Sequence, residues 1–375
     1  MLHVADMTMF HAPSSGGVRT YLEAKRRRLR SRPGIRHSLL VPGESSSVSD
    51  DLYHVPAPPI PFGNGYRFPL RRGGWVSTLL ALQPDVIEAG DPYVTAWAAL
   101  DAGRKLDVPV IGFYHSDLPR LITNRLGEWS GANVDRYVQR LYRHFDRVLA
   151  PSDVMARRLD RLGVRNVHIQ PLGVDLNTFH PDCRDQDLRR ELGLADHVRL
   201  LAFAGRGSRE KNLDELLEVA RLLGPNYHLL LIGSGMPRHL PDNVSVTGHF
   251  CSSAEVARLV ASVDVLLHAG TQETFGLVVL EAMACGTPVV AARAGALAEN
   301  VPLGCGQLCD PHAPHAMARA VQDIFANDPA ALGRQARRHV EKHHDWDRVV
   351  DGLLDHYRAV TGTQLQPILE EVTHG

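Results

Sequence analysis

The stretch TQETFGLVVLEAMACGTPVVAA, residues 271–292, contains an exit loop, a short apolar helix and the start of a buried strand. A second apolar strand, DVLLHAG, comes directly before it. A helix between two apolar strands predicts a βαβ unit in a parallel sheet. Glu273 precedes the helix and Glu281 lies within it. The free amides from about Gly276 to Val278 favour an anion at the helix start, so a negatively charged ligand is expected between the two carboxylates.

The same alternation of apolar strands and amphipathic helices extends over most of the 375 residues, which exceed what one hydrophobic core usually supports. The polar segment GVDLNTFHPDCRDQDLRRELGL interrupts it and separates two halves. The pattern predicts an α/β protein with two doubly wound, Rossmann-like domains, residues 1–173 and 174–345. Ligands of such sheets bind beyond the carboxyl ends of the strands, so we expect an interdomain cleft lined by loops from both domains.

Composition narrows the class of protein. Apolar residues make up 44% and charged residues 22%, as in globular proteins. No apolar run approaches ~20 residues and the start lacks a signal-peptide pattern, so a cytoplasmic protein without membrane spans is expected. Five scattered cysteines predict reduced thiols. Cys305 and Cys309 have no second pair at ligand spacing, so no metal site is predicted.

Charge is divided unevenly along the chain. Residues 1–175 carry 23 Lys and Arg against 17 Asp and Glu, whereas residues 176–375 carry 18 against 25. The basic segment KRRRLRSRPGIR, residues 25–36, is followed by RRGG at 71–74. With aromatic residues nearby in sequence, these charges could form a face for an anionic membrane, a solvated helix face or a site for an anionic carbohydrate. The aromatic residues are Trp75, Trp129, Tyr137 and Tyr142. Nucleic acid is not expected, because no binding motif accompanies the charges.

Two further loops have features of phosphate sites. FHAPSSGGVRTYL places Gly16 and Gly17 at a helix start, where the backbone can approach a ligand closely. FAGRGSREKN places Arg206 and Lys211 after a strand and near a helix start, where cations are unfavourable unless an anion offsets them. The alternatives are an ordinary glycine-containing helix start and a solvated loop that pairs Lys211 with a neighbouring carboxylate.

Five segments in order, from about residue 10 to residue 290, resemble the retaining family 4 glycosyltransferases of GT-B fold. ETFGLVVLEAMACGTPVV resembles their E-x7-E signature, and GRGSREKN their G-R…E-K segment. SSGGVRTYL resembles their N-terminal glycine loop, PLGVDLNTFHP the hinge into their second domain, and FYHSD the strand end with their active-site histidine. The helix at about 346–360 is similar to their last helix, which returns to the first domain.

The resemblance implies roles for individual residues. The group expected to be catalytic comprises His115 at the donor sugar, Glu273 on its hydroxyls, and Arg206 with Lys211 on the diphosphate. The group expected to bind the nucleotide comprises Glu281 on the ribose, Gly16 and Gly17 near the β-phosphate, the backbone of Phe275, Gly276, Leu277 and Val278 around the phosphates, and Gly248 to Phe250 near the base.

The implied activity is transfer of a mannose- or glucose-type hexose, with retention, from a UDP- or GDP-linked donor to a lipid-linked or glycan acceptor. No cofactor and no obligatory metal are expected, because no Asp-x-Asp element lies in a suitable loop and two cations already face the diphosphate. The alternatives are a glycoside hydrolase that uses Glu273 and Glu281 as its carboxylate pair, a GT-B-like nucleotide-sugar epimerase or phosphorylase, and a non-catalytic carbohydrate-binding relative.

Overall fold

The computed structural model describes residues 1–12, 17–60, 65–120 and 131–362. In the first half, strands and helices alternate as the apolar pattern predicts. In chain order the elements are β1 Leu2–Met7, α1 Gly17–Ser31, β2 Ile35–Gly43, β3 Ser47–Ser49, β4 Leu52–Pro56, α2 Gly73–Leu82, β5 Val86–Ala89, α3 Val94–Leu106, β6 Val110–Phe113, α4 Gly131–Tyr142, β7 Arg147–Ala150, α5 Asp153–Arg161 and β8 Val167–Ile169.

The second half repeats the alternation and ends in three helices. Its elements are α6 Leu188–Glu191, β9 Arg199–Ala204, α7 Leu213–Leu223, β10 Tyr227–Ile232, β11 Val244–Val246, α8 Ser253–Ser262, β12 Val265–His268, α9 Leu277–Ala284, β13 Val289–Ala292, α10 Leu297–Asn300, β14 Gly306–Cys309, α11 Pro314–Ala326, α12 Pro329–His343 and α13 Trp346–Thr361. The 3₁₀ turns Pro181–Cys183 and Arg209–Lys211 lie before α6 and α7.

The first sheet has eight strands in the order β3-β4-β2-β1-β5-β6-β7-β8. Its pairings are parallel except that of β3 with β4. All six residues of β1 are buried, as expected for a central strand with helices on both faces. The sequence analysis missed the β3–β4 edge, because the exposed Ser47–Ser49 strand has no apolar alternation.

The second sheet has six parallel strands in the order β11-β10-β9-β12-β13-β14. Strand order reverses between β9 and β12 here, and between β1 and β5 in the first sheet. Ligands of open α/β sheets bind at such reversal points, where neighbouring loops diverge. The predicted architecture of two doubly wound, Rossmann-like domains is confirmed, and the loops predicted to bind phosphate follow strands at the two reversal points.

Hydrogen bonds join the two halves beside these loops. Thr274 Oγ1 donates to the carbonyl of His115 at 3.1 Å, and Ser152 Oγ donates to the carbonyl of Thr274 at 2.8 Å. Glu299 accepts from the amides of Asp153 and Val154 at 2.8 and 2.7 Å. These amides begin α5, so the carboxylate also meets the positive end of that helix.

The last helix lies against the first sheet and its helices. Tyr357 of α13 donates a hydrogen bond to Glu88 Oε2 at 2.6 Å. The ring of Trp346 lies 5.6 Å from that of Tyr21 in α1. A Cβ on Gly173 would lie 2.6 Å from the Trp346 ring, so this crossing requires glycine there.

Helix α1 is less basic on its outside than its sequence suggests. Lys25 is fully buried, and its Nζ lies 2.8 Å from oxygens of both Asp6 and Glu88. The expectation that Lys25 belongs to an exposed face is therefore wrong. Several arginines of the same segment pair with carboxylates of other elements: Arg26 and Arg30 with Asp50, Arg27 with Asp175, Arg28 with Asp347, and Arg32 with Asp347 and Asp351.

The aromatic part of the predicted basic face is also corrected. Trp75 and Tyr142 are buried in the core of the first domain, because they lie on the inward sides of α2 and α4. Tyr137 is partly buried and donates to the carbonyl of Pro92 at 2.7 Å, and Trp129 lies outside the described residues. Across the parts of the chain that the structure describes, no helix combines the length and apolar character needed to cross a bilayer.

Candidate functional site

A cavity of about 380 Å³ lies between the two halves, within the size range of small-molecule sites. Val18 and Thr20 of α1 line it from the first domain. Nine of the predicted site residues line it as well: His115, Lys211, Phe250, Glu273, Phe275, Gly276, Leu277, Val278 and Glu281. Residues more than 150 positions apart in sequence thus meet at one cleft.

Gly276 sets the start of α9. Its φ of 83° is in the left-handed region, and a Cβ there would lie 2.8 Å from Leu297 Cδ2. The buried Asn300 side chain holds the preceding carbonyl of Phe275 by a hydrogen bond. The amides of Leu277 and Val278 in the first turn have no acceptor within the helix. The start of α9 therefore presents amide hydrogens to the cleft, where an anion would be favoured.

The faces of α9 divide between the core and the cleft. Val279, Leu280 and Met283 are fully buried, whereas Leu277 and Glu281 are partly exposed and line the cavity. Protein surrounds the Glu281 carboxyl although part of the residue reaches the cleft, and this burial raises its pKa to about 7. Among the described residues no side chain pairs with this carboxyl, so its hydrogen-bonding capacity is available to a ligand.

The loop after β9 places Lys211 at the cleft. Lys211 ends the 3₁₀ turn Arg209–Lys211, and Asn212 follows with a φ of 52°. The Asn212 side chain donates to the carbonyl of Ala269 at 2.8 Å. Because Ala269 directly follows β12, this bond ties together the loops on either side of the strand-order reversal.

Lys211 Nζ forms an ion pair with Glu273, rather than with the carboxylates of Asp214 and Glu215 in the helix that follows it. His268 Nδ1 accepts from the amide of Gly270 at 3.1 Å, so its proton is on Nε2, which lies 3.4 Å from Glu273 Oε1. Burial opposes ionisation of Glu273, but Lys211 and His268 outweigh it and hold the pKa of that carboxyl well below its usual range. Glu273 is therefore a fixed anion whose remaining acceptor capacity faces the cleft.

His115 follows β6 and is buried, with its ring stacked on that of Phe113 at a centroid distance of 4.0 Å and an interplanar angle of 4°. The ring of Tyr21 lies 4.9 Å away. Burial, reinforced by Lys25, lowers the pKa of His115 to about 3. Its Nε2 has no hydrogen-bond partner among the described residues. A neutral imidazole with one unused nitrogen therefore adjoins the cleft.

Four predicted site residues are not among the described residues that line the cavity. Arg206 is exposed in the loop after β9, and Gly248 lies two residues before Phe250 with a φ of 75°. Gly17 is the first residue of α1, directly before the cavity-lining Val18. Gly16 lies outside the described residues. Their roles stay predictions.

Several residues that organise the site were missed in the sequence analysis. They are His268, Thr274, Glu299, Asn300 and Asn212. All but His268 act through a contact with a residue distant in sequence, so spacing provided no signal for those four. Only Asn212, directly after Glu210-Lys211 and before an apolar helix, sits where a turn residue could have been suspected.

The predicted thiol state agrees with the structure. All five cysteines are free, and Cys305 and Cys309 are buried. The Cys309 thiol donates to the carbonyl of Ala291 at 3.5 Å, and burial raises its pKa to about 11. Cys305 and Cys309 therefore pack as core side chains.

Comparison with protein families gives two matches that together span most of the chain. Residues 15–178 match the family described as Glycosyltransferase Family 4. Residues 184–342 match the family described as Glycosyl transferases group 1. Residues 179–183, between the two matches, contain the first 3₁₀ turn and lie within the polar sequence that was predicted to separate the halves.

Similar structures support the fold. Sucrose-phosphate synthase from Thermosynechococcus elongatus aligns with a TM-score of 0.80 at 21% identity, over 97% of this chain and 100% of that chain. HepE from Anabaena in complex with UDP-glucose aligns with a TM-score of 0.75 at 20% identity, over 96% and 100%.

Two relatives found by sequence have a higher identity to this chain than these two structures have. A GDP-mannose-dependent α-(1-6)-phosphatidylinositol dimannoside mannosyltransferase of Mycobacterium tuberculosis is 32% identical over 94% of this chain and 95% of its own. A GDP-mannose-dependent α-mannosyltransferase of Mycolicibacterium smegmatis is 30% identical over 83% of each chain. The chain therefore belongs to the family 4 glycosyltransferases, nucleotide-sugar-dependent transferases with the GT-B fold.

Proposed function

We propose that this chain transfers a mannose-type hexose, with retention of configuration, from GDP-mannose to a lipid-linked glycan. The observation that carries the proposal is the cleft itself. One wall bears the free amides of α9 beside the Lys211–Glu273 pair, and the other bears the neutral His115. GDP-mannose is proposed over a UDP-linked donor because the two sequence relatives above are GDP-mannose-dependent.

The proposed chemistry starts with the leaving diphosphate. Breaking the bond between the anomeric carbon and the phosphate oxygen adds negative charge to the diphosphate. Lys211 and the amides of Leu277 and Val278 would stabilise that charge, and a site with fixed cations and dipoles does so without reorganisation. Glu273 partly neutralises the positive charge of Lys211 and holds the lysine side chain in place.

Two side chains would hold the donor sugar. Glu273, as a fixed anion, would accept hydrogen bonds from its hydroxyl groups. His115 would face the sugar with its unused Nε2, and as a neutral ring it would hydrogen-bond without adding positive charge. In this arrangement neither residue is a covalent nucleophile, because Glu273 is held by Lys211 and His115 is stacked on Phe113.

Retention would follow from attack on the face that the diphosphate leaves. The acceptor hydroxyl forms the new bond to the anomeric carbon as the old bond to phosphate breaks, and its proton passes to the departing phosphate oxygen. No metal takes part in this proposal. Glu281 would bind the two ribose hydroxyls, which are donors suited to an otherwise unpaired carboxylate.

A lipid-linked acceptor would require contact with a membrane surface. Of the arginines in 25–36, Arg27 is the most suitable for that contact, because 69% of its side chain is exposed and its distance to Asp175 is 3.7 Å. The relative from Mycobacterium tuberculosis is named for a phosphatidylinositol dimannoside substrate, which supports an acceptor of this class.

The test is product analysis with a panel of donors, namely GDP-mannose, GDP-glucose, UDP-glucose and UDP-N-acetylglucosamine, each with glycolipid extracts. Transfer from GDP-mannose with an α-linked product is expected. Release of GDP in amounts equal to glycolipid product indicates transfer. Cleavage of a glycoside without any nucleotide sugar would favour the hydrolase alternative, and a free sugar phosphate would favour a phosphorylase.

A further inference from the structure

The loop between β11 and α8, with the first turn of α8, carries three side chains that have different metal-binding atoms. They are His249, Cys251 and Glu255, and their ligand atoms all lie within 4.8 Å of one another. In the part of the chain that the structure describes, this is the one group of three or more such residues with that spacing. The group offers nitrogen, sulfur and oxygen, and its Cys251 lines the same cavity as Lys211 and Glu273.

The hydrogen bonds of His249 fix its ring plane and hold Nε2 against Glu255, and a metal at Nε2 would replace the proton that this atom donates to the carboxylate. Its Nδ1 lies 2.9 Å from the carbonyl of Thr247, which can only accept, so Nδ1 carries a proton. Its Nε2 lies 2.9 Å from Glu255 Oε1. Histidine ligands commonly donate their second ring N–H to a backbone carbonyl, which fixes both the tautomer and the ring plane. His249 already has that arrangement.

The other two ligands are held by local structure. Ser252 caps α8 by accepting from the Glu255 amide at 3.2 Å, which places Glu255 in the first turn, facing His249. The Cys251 thiol is buried, 3.6 Å from Thr247 Oγ1, and Thr247 Oγ1 in turn accepts from the amide of Gly233 at 2.9 Å. The loop is thus anchored on both sides of the cluster.

We propose that His249 Nε2, Cys251 Sγ and Glu255 form a three-ligand site for a divalent transition metal of the zinc class, with water in the fourth position. Thiolate together with imidazole favours zinc, cobalt or copper over magnesium and calcium. The thiol proton leaves when the metal binds, because the ligand is the thiolate. Phe250 lies between two ligands and lines the cleft, so a bound metal would also fix this part of the cleft wall.

The experiment titrates the full chain, freed of metal with a chelator, with Co²⁺. One equivalent is expected to bind and to give the near-ultraviolet charge-transfer band of a thiolate–cobalt bond, and Zn²⁺ should displace it. Cys251→Ser should lose the band. His249→Gln and Glu255→Gln should weaken Co²⁺ binding at least about 10- to 100-fold, the cost that even an outer-shell change imposes at metal sites.

The matched control is Cys183→Ser, which removes a less buried thiol on another element and should keep the band. Because Cys251 is buried, circular dichroism must show that its variant is folded. Should it unfold, the surface variants Glu255→Gln and His249→Gln decide in its place. Absence of the band in the wild type, or unchanged Co²⁺ affinity in both surface variants, would overturn the proposal.

Discussion

The ammonium of Lys211 pairs with the carboxylate of Glu273 on the wall of the cleft, across 62 positions of sequence. The pair joins the loop after β9 to the loop after β12. In the proposed mechanism the pair would therefore place a cation for the diphosphate and an anion for the sugar hydroxyls as one unit, next to the start of α9.

Replacing Lys211 should therefore impair the chemical step. Lys211→Ala is expected to lower kcat about 10²-fold, with a smaller rise in KM, because the charge that it stabilises grows in the transition state. Arg206→Ala, in the same loop, is expected to cause a loss of similar size, because that arginine is predicted to face the same diphosphate. Steady-state kinetics with GDP-mannose measures both. Arg209→Ala, at an exposed residue of the same turn, is the control and should keep turnover. Turnover that persists in the double variant of Lys211 and Arg206 would place the diphosphate elsewhere.

Nucleotide binding should depend on the ionisation of Glu281. Its pKa of about 7 leaves it mainly protonated at about pH 6 and mainly ionised at about pH 8. Ribose hydroxyls donate to the ionised form, so GDP affinity should rise with pH and binding near pH 7 should release a proton. Calorimetry in two buffers of different ionisation enthalpy measures that release.

The control for Glu281 is its neutral isostere. Glu281→Gln should abolish the proton release and flatten the pH profile. Because the folded pKa lies above the unfolded value of 4.5, Glu281 favours the fold at low pH and loses that contribution as pH rises through about 7. Ligand-free Glu281→Gln should accordingly melt at a higher temperature than the wild type above pH 7. Proton release that persists in the variant would exclude Glu281 from the nucleotide site.

Transfer activity should survive excess EDTA. Lys211 and the amides of α9 already face the proposed diphosphate position, so no divalent ion is needed to neutralise it. Initial rates with and without EDTA, each followed by addition of Mg²⁺, measure this directly. A strict requirement for Mg²⁺ or Mn²⁺ would contradict the proposed mechanism.

Glu299 should control how the two domains close. Its carboxylate accepts two amides of α5 across the cleft. Losing these two hydrogen bonds should destabilise the closed arrangement of the domains by about 1–3 kcal/mol. Glu299→Ala should therefore increase the radius of gyration of the ligand-free protein, which small-angle scattering measures. Glu218→Ala removes a carboxylate of an exposed pair within one helix and should leave the radius unchanged. A wild-type radius in Glu299→Ala would show that other contacts hold the domains.

Membrane contact is tested by co-sedimentation with anionic vesicles. Arg27→Glu changes the charge of α1 by two units, and each unit contributes about 1 kcal/mol to binding an anionic membrane. The variant should therefore partition onto the vesicles about 30-fold more weakly. Arg334→Glu in the second domain is the control, since its side chain is 63% exposed and pairs weakly, like that of Arg27. Binding should weaken with salt. Wild-type protein that stays in the supernatant at low salt would indicate that α1 presents a solvated face.

Local patterns were enough for most of the architecture. The helix of residues 17–31 and the helix of 94–106 coincide with amphipathic stretches of the sequence, because the period of their apolar residues is a local property. The Ser47–Ser49 edge strand and the short β14 were not predicted, since pairing with a neighbour, rather than their own composition, makes them strands.

The site residues divide in the same way. One stretch of sequence was enough to identify Glu273, Gly276 and Glu281. A helix start, and the spacing of one helical turn between Leu277 and Glu281, can both be recognised from neighbouring residues. Lys211 was assigned to phosphate from its position after a strand, but its partner Glu273 could not be read from sequence. His268 had no signal in the sequence. The position of its proton depends on a hydrogen bond from the Gly270 amide, and its approach to Glu273 depends on how the loop folds.

By itself, then, the sequence determined the two doubly wound domains, the loops that face each other and the family to which the chain is similar. Only the tertiary structure decided which charges are available. Lys25, in the middle of a basic run, is buried between Asp6 and Glu88, while Glu281, on an apolar helix, reaches the cleft without a partner among the described residues. The physical reason is that secondary structure follows from neighbours along the chain, whereas burial and ion pairing depend on groups that only folding brings together.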